Sequence, residues 1–366
     1  DMYPEDETVE KSSVGEDPLD IFLYKLQYGY FNQYSRNCLQ LNIGGEKFSD
    51  IAAMAGVVAT DWSWGTLMAD YDGDGLKDIF ISNGIKRRPN DQDYLRFMEI
   101  NASSNNEMSA SKKMEEEARM QMPEGKVHNY IFRGKGDLAF EDESINWGFD
   151  EKNISNGCSY ADIDNDGDLD LITNNLNEAA TIYLNKSNDL QKNNYLKIAF
   201  KGDAANVFGI GTKVILKTID GQQMQQMMPT RGFMSSVEPK LLFGIGKNTQ
   251  IDTLKVIWEN QKMEVLVHPK INTALVLDQK NANLAVNYDQ INSKEKAHFE
   301  NISDKINLGY EHLENKFLDF SRELLMPFKV SIEGPKLAVG DINGDGLEDF
   351  YVGGAKYQAG SLFLQK

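Results

Sequence analysis

Apolar and polar residues alternate along much of this chain in short runs punctuated by glycine, asparagine and aspartate, the pattern of β-strands. Three pairs of such runs flank a common polar stretch. Gly65-Thr66-Leu67-Met68-Ala69 precedes the first stretch and Ile79-Phe80-Ile81-Ser82 follows it. Cys158-Ser159-Tyr160-Ala161 and Leu171-Ile172-Thr173 enclose the second, and Leu337-Ala338-Val339-Gly340 and Phe350-Tyr351-Val352 the third. The spacing predicts three strand–loop–strand units. Further strand-like runs are Tyr195–Phe200, Lys213–Thr218, Leu241–Phe243, Thr253–Trp258 and Ala274–Leu277, with turns at Asp220-Gly221 and Gly244-Ile245-Gly246. They predict an all-β domain of sandwich or barrel type over 191–281. A helix is expected from Pro18 to Tyr34 within a lead-in at 1–36. Its aromatics Tyr28, Tyr30, Phe31 and Tyr34 are expected in the core.

The units recur. Asn37-Cys38-Leu39-Gln40-Leu41-Asn42 leads to Phe48-Ser49-Asp50, as Asn129-Tyr130-Ile131-Phe132-Arg133-Gly134 leads to Phe140-Glu141-Asp142. The offset, 37 to 129, is 92 residues, and the first two polar stretches share it, 70 to 162. A repeated β unit of this kind reads as propeller blades across 37–190. The unit is long for a blade because of a charged, Met-rich insertion at about 87–124. It contains Met98, Met108, Met114, Met120 and Met122, with Lys112-Lys113 and Glu115-Glu116-Glu117, and is expected to form one or two solvated helices. Residues 282–335 read as a connector and 336–366 as the first blade of a further propeller. The chain is therefore expected to be a fragment, with unpaired strand edges that invite partners.

The polar stretches carry the candidate chemistry. Loop positions 1, 3, 5 and 9 are Asp70, Asp72, Asp74 and Asp78 in the first; Asp162, Asp164, Asp166 and Asp170 in the second; and Asp341, Asn343, Asp345 and Asp349 in the third. Position 7, Leu76, Asp168 or Leu347, would add a backbone carbonyl, and glycine at position 6 permits the turn. Ca²⁺ takes about six to eight oxygen ligands, so three Ca²⁺ sites are expected. An EF-hand is excluded, because position 12 is Ile81, Thr173 or Val352 instead of glutamate, and the flanks are strands.

Composition adjusts this picture. The chain has 366 residues and a net charge of −18, which disfavours nucleic acid and anionic membrane surfaces as partners. Two cysteines, Cys38 and Cys158, make no disulfide framework, leaving buried thiols or one bridge open. No run of about 18 apolar residues suggests a membrane span. Loops of this type fit extracellular calcium levels, so an extracellular or cell-surface setting is expected.

The Asp-rich loops resemble VCBS/FG-GAP repeats. The segment from Asn194-Tyr195-Leu196-Lys197-Ile198 through Glu238-Pro239-Lys240-Leu241 to Leu254-Lys255-Val256-Ile257-Trp258 resembles the ASPIC/UnbV domain of bacterial CRTAC-type proteins and animal cartilage acidic proteins. The resemblance implies calcium-loaded propeller blades with an appended small β domain, and no reaction. It also implies an outer-membrane-associated protein of a Bacteroidota-type source, anchored through a part outside this chain.

No catalytic motif is present. His128, His268, His298 and His312 form no H-E-x-x-H arrangement, and there is no G-x-S-x-G elbow. The glycines at 209, 211, 244 and 246 read as turns, not as a phosphate cradle. Two functions follow as expectations. The first is a non-catalytic, calcium-stabilised interaction protein of the cell surface, a subunit of a surface complex with a protein partner. The alternative is a glycan-binding or glycan-processing, lyase-type protein, with sugar stacking on Trp62, Trp64 or Tyr71.

Overall fold

The computed structural model describes the chain apart from residues 1, 16, 45, 103–115, 288–298, 307, 320–321 and 324–329. The fold is mainly β and divides into two compact units, Asp1–Val286 and Asn287–Lys366.

The first unit opens with a five-stranded antiparallel sheet. Its order is Met2–Tyr3, Asp61–Ala69, Asp78–Asn83, Tyr130–Gly134 and Phe140–Asp142. A second meander joins Ser155–Ala161, Asp170–Asn175 and Thr181–Tyr183. The sequence repeat is a structural repeat. Ala69 faces Asp78 as Ala161 faces Asp170, and a bulge falls between Ser63 and Thr66 as one does between Ser155 and Cys158. Among the described residues these blade-type sheets do not close a ring. Both meanders bury one apolar set, including Leu67, Phe80, Ile131, Phe149, Leu169 and Leu171. Full burial of such side chains stabilises by about 1.5–3 kcal/mol each.

Residues 195–285 form a two-sheet sandwich. One sheet is Leu241–Gly244, Tyr195–Lys201 and Ala274–Asp278, the last two parallel. The other is Gly221–Gln226, Lys213–Thr218, Thr253–Ile257, Lys262–Val267 and Leu284–Ala285. Trp258, Phe243, Leu196, Ile198, Leu216 and Leu254 fill the space between. The sandwich shares core with the meanders: Val237 is buried in their cluster and Leu242 packs against it.

Several expectations change. The lead-in helix covers only Leu19–Gln27, ending before Gly29 in the left-handed region. Tyr28, Tyr30, Phe31 and Tyr34 are exposed instead of core, Phe31 at 90%. The lead-in also contributes a strand, Met2–Tyr3, to the first sheet. The insertion holds a helix at Gln92–Ala102 and helical turns at 116–121, while Met108, Met114, Lys112, Lys113 and Glu115 lie outside the described residues. Cys158 is buried, Cys38 is exposed, and both are free. No helix among the described residues is long and apolar enough to cross a membrane.

In the second unit, Leu337–Gly340, Asp349–Val352 and Ser361–Phe363 form a third meander of the same register, Gly340 facing Asp349. The expected connector belongs in part to this unit. The Tyr310 hydroxyl donates to Gly353 O (3.0 Å), and its ring meets Phe363 edge-on.

Candidate metal centres

The three loops share one backbone design. Glycine at position 6 has φ of +97°, +96° and +86° in turn, and position 4 (Gly73, Asn165, Gly344) is also left-handed. The position 5 amide donates to the position 3 side chain: Asp74 N to Asp72 Oδ1, Asp166 N to Asp164 Oδ1, and Asp345 N to Asn343 Oδ1. The position 7 amide donates to position 5.

Position 9 works as a clip. Oδ2 of Asp78, Asp170 and Asp349 accepts the position 2 amide of its own loop. Oδ1 accepts an amide at or just past the end of the neighbouring strand: Gly134 N, Asn185 N or Gln365 N, at 2.8–2.9 Å. All three carboxylates are fully buried. This residue fastens loop to sheet whether or not it also faces a cation.

The remaining positions separate the loops. In the first, Asp70 and Asp72 are buried beside Asp78, and one ligand oxygen from each lies within 4.8 Å of the others. Asp70 Oδ2 accepts Gly75 N (3.0 Å), while its Oδ1 is buried with no partner among the described residues. Burial raises the Asp70 carboxyl to about 7 and Asp78 to about 8, and also raises Asp72. Arg133, on the strand Tyr130–Gly134, reaches Asp72 Oδ2 (2.7 Å) and Asp74 Oδ2 (3.2 Å).

In the second loop Asp162, Asp164 and Asp166 bring ligand oxygens within 4.8 Å, and Oδ1 of buried Asp162 has no partner among the described residues. Its Oδ2 takes Lys197 Nζ at 2.8 Å, where the position 1 aspartates of the other two loops take the position 6 amide. Asp168, expected to offer only its carbonyl, buries its carboxyl as well. Oδ2 accepts Asn188 N (3.0 Å), Oδ1 has no partner among the described residues, and burial raises the group to about 7. In the third loop Asp341, Asn343, Asp345 and Leu347 are exposed. Asp341 spends both oxygens on Gly344 N, Asp345 N and Gly346 N of its own loop.

Charge and donor type decide what such sites fit. Buried carboxylate oxygens without protein partners are costly when ionised, and hard oxygen donors suit Ca²⁺ or Mg²⁺ over softer metals. The first and second loops fit a divalent cation. Asp70, Asp72, Asp74 and Asp78 would hold it in one, and Asp162, Asp164, Asp166, Asp168 and Asp170 in the other.

Other candidates come apart. Tyr71 is buried (2% exposed) edge-on to Tyr160, and Trp64 donates to Gly84 O (2.8 Å) while packing on Phe233. Tyr71 therefore has no face open to a sugar, while Trp64 is half-buried. Trp62 is half-buried on the strand that pairs with Met2. His128 packs on Tyr130, the His268 ring meets Gln250 Nε2 (2.7 Å), and His312 meets Glu314 (3.1 Å). His298 lies outside the described residues.

Residues that the local motifs do not point to come from the sandwich and the segment leading into it. Asn193 Nδ2 donates to Asp72 O (2.8 Å), and Gly246 N to Gly73 O (3.0 Å). Residues 202–284 of this sandwich match the ASPIC and UnbV family. The chain carries an ASPIC/UnbV domain. It is also 26% identical to cartilage acidic protein 1 of Homo sapiens over 255 residues, 63% of this chain and 38% of that protein. The chain thus spans well under two thirds of that relative's length. The matched segment lies against the first loop through Gly246, and the residues just before it reach both loops through Asn193 and Lys197.

Proposed function

We propose that this chain is a calcium-binding, non-catalytic interaction scaffold, with Ca²⁺ in its first two loops fixing the blade hairpins. The observation that carries this reading is Asp70: a carboxyl 4% exposed, one oxygen unpartnered, with Asp72 and Asp78 ligand oxygens within 4.8 Å. Three buried carboxylates so close repel one another, and a divalent ion offsets both their mutual repulsion and their lost hydration. The third loop, exposed and internally bonded, takes calcium more weakly.

The setting proposed is extracellular or at the cell surface, as part of a complex with a protein partner. The net charge of −18 supports a neutral or cationic partner surface over an anionic one. The test is calorimetric titration of the chelated chain with Ca²⁺, paired with thermal melts. Saturable binding near two ions per chain and a raised Tm are expected. Identical melts in calcium and in excess chelator, with no binding heat, would refute the reading.

A further inference from the structure

One cross-strand pair of the sandwich spans both covered loops. Tyr195 and Gly244 stand directly opposite each other in the ladder between Tyr195–Lys201 and Leu241–Gly244. The Tyr195 ring lies over Gly167 of the second loop, so close that a β-carbon at 167 would stand 2.1 Å from it. Gly244 lies over the first loop, where a β-carbon would stand 2.2 Å from Asp70 Oδ2 and 2.6 Å from Gly73 Cα. Only glycine lets the strand come this near. Two residues along from Tyr195 on the same strand, Lys197 enters the second loop, its side chain 7% exposed.

We propose that the sandwich, together with the segment that enters it at Asn193, is a cap that governs cation retention in the first two loops and sets them apart. The proposal rests on the calcium reading above. Over the first loop the cap acts on backbone. Asn193 and Gly246 hold the carbonyls of Asp72 and Gly73, which fixes the turn that aims Asp70 and Asp72 inward. Outer partners of this kind are worth roughly 10–100-fold in metal affinity.

Over the second loop the cap supplies a resident ammonium. Lys197 neutralises Asp162, leaving Asp162 Oδ1 for a cation that must then sit beside a positive charge. Glu238 Oε2, 3.6 Å from the same Nζ, offers the ammonium a second acceptor, although Lys240 already pairs with that carboxylate. Arg133, which reaches the first loop, is half-buried and lies on the strand Tyr130–Gly134, so it is no part of the cap.

The experiment uses the full chain. Chelator-triggered calcium release is followed by stopped flow, with calorimetry for affinity, in wild type, Asn193→Ala and Lys197→Met. Asn193→Ala is expected to speed release from one site and weaken it about tenfold, leaving the other unchanged. Lys197→Met is expected to tighten the other site about tenfold while lowering Tm in chelator, because a like charge beside the ion is removed. Should Lys197→Met fail to fold, Lys197→Gln gives the same readout. General loosening would weaken both sites together, and either that result or unchanged release in both variants overturns the cap. A wild type that binds no calcium overturns the calcium reading itself, and the cap with it.

Discussion

The first and third loops have the same spacing, the same left-handed glycine and the same clip at position 9. Yet Asp70 is buried with an oxygen to spare, while Asp341 is exposed and occupied by its own loop's amides. The difference lies outside the motif. Asn193, Gly244 and Gly246 cover the first loop from a domain more than a hundred residues further on. The motif thus specifies the shape of a loop, and its cover turns that shape into a site.

Removing position 1 should separate the two loops most widely. Asp70→Ala is expected to cost about 3 kcal/mol in saturating calcium, roughly what a ligand at one hundred times its Kd contributes, and to blunt the response to chelator. Asp341→Ala should stay within about 0.5 kcal/mol, as exposed substitutions do. Chemical denaturation of both variants with and without calcium checks this, and equal losses would dissolve the distinction.

pH sharpens it next. Asp70 and Asp78 sit at about 7 and about 8 in the fold, above their unfolded values near 4, because burial disfavours the charged forms. The fold therefore binds extra protons between those limits. In chelator, stability is greatest at the acid end of that window and is lost as pH rises through 7 to 8. Calcium, which favours the charged carboxylates, should flatten or reverse the slope. Melts from pH 5 to 8.5 with and without calcium give the answer, and a chelated protein that gains stability over this range would contradict the burial of the first loop.

Smaller effects follow. The Tyr71 hydroxyl is buried beneath the covered loop with no partner among the described residues, so Tyr71→Phe should be neutral or stabilising by about 1 kcal/mol. A loss of stability there would reveal a bond the structure does not show. Finally, the amide of Gly75 should exchange with solvent more slowly than that of Gly346, although each donates to its position 1 aspartate, because only the first loop is covered. Residue-resolved hydrogen exchange reads the pair directly.

The repeat and the loops were legible in sequence because their signals are local: a nine-residue spacing and strands that alternate around it. Four of the sandwich strands lie within a residue of their expected ends, and Lys213–Thr218 coincides with them. Gly221–Gln226 carries no strand signal, since Gly-Gln-Gln-Met-Gln-Gln has no apolar alternation and owes its extended form to pairing with Lys213–Thr218. Apolar aromatics up to Tyr34 extend the expected lead-in helix past its end and mask the break at Gly29. The cover could not be read at all. Asn193 looks like any loop asparagine, Lys197 like a strand's outward lysine, and Gly244 like a turn residue. Each acquires its role only from a partner distant in sequence.

The clip and the cover form on different clocks. Asp78 is fastened by an amide 56 residues ahead of it, whereas Gly73 must wait for Gly246, 173 residues downstream. At about 5–20 residues per second of synthesis, the 112 residues between Gly134 and Gly246 leave the first loop finished but roofless for roughly 6 to 22 seconds. An ion arriving in that interval enters by an open door, and one arriving afterwards waits on the opening of a packed seam. Protein refolded in calcium, and protein refolded in chelator and loaded later, should end in the same state at markedly different speeds.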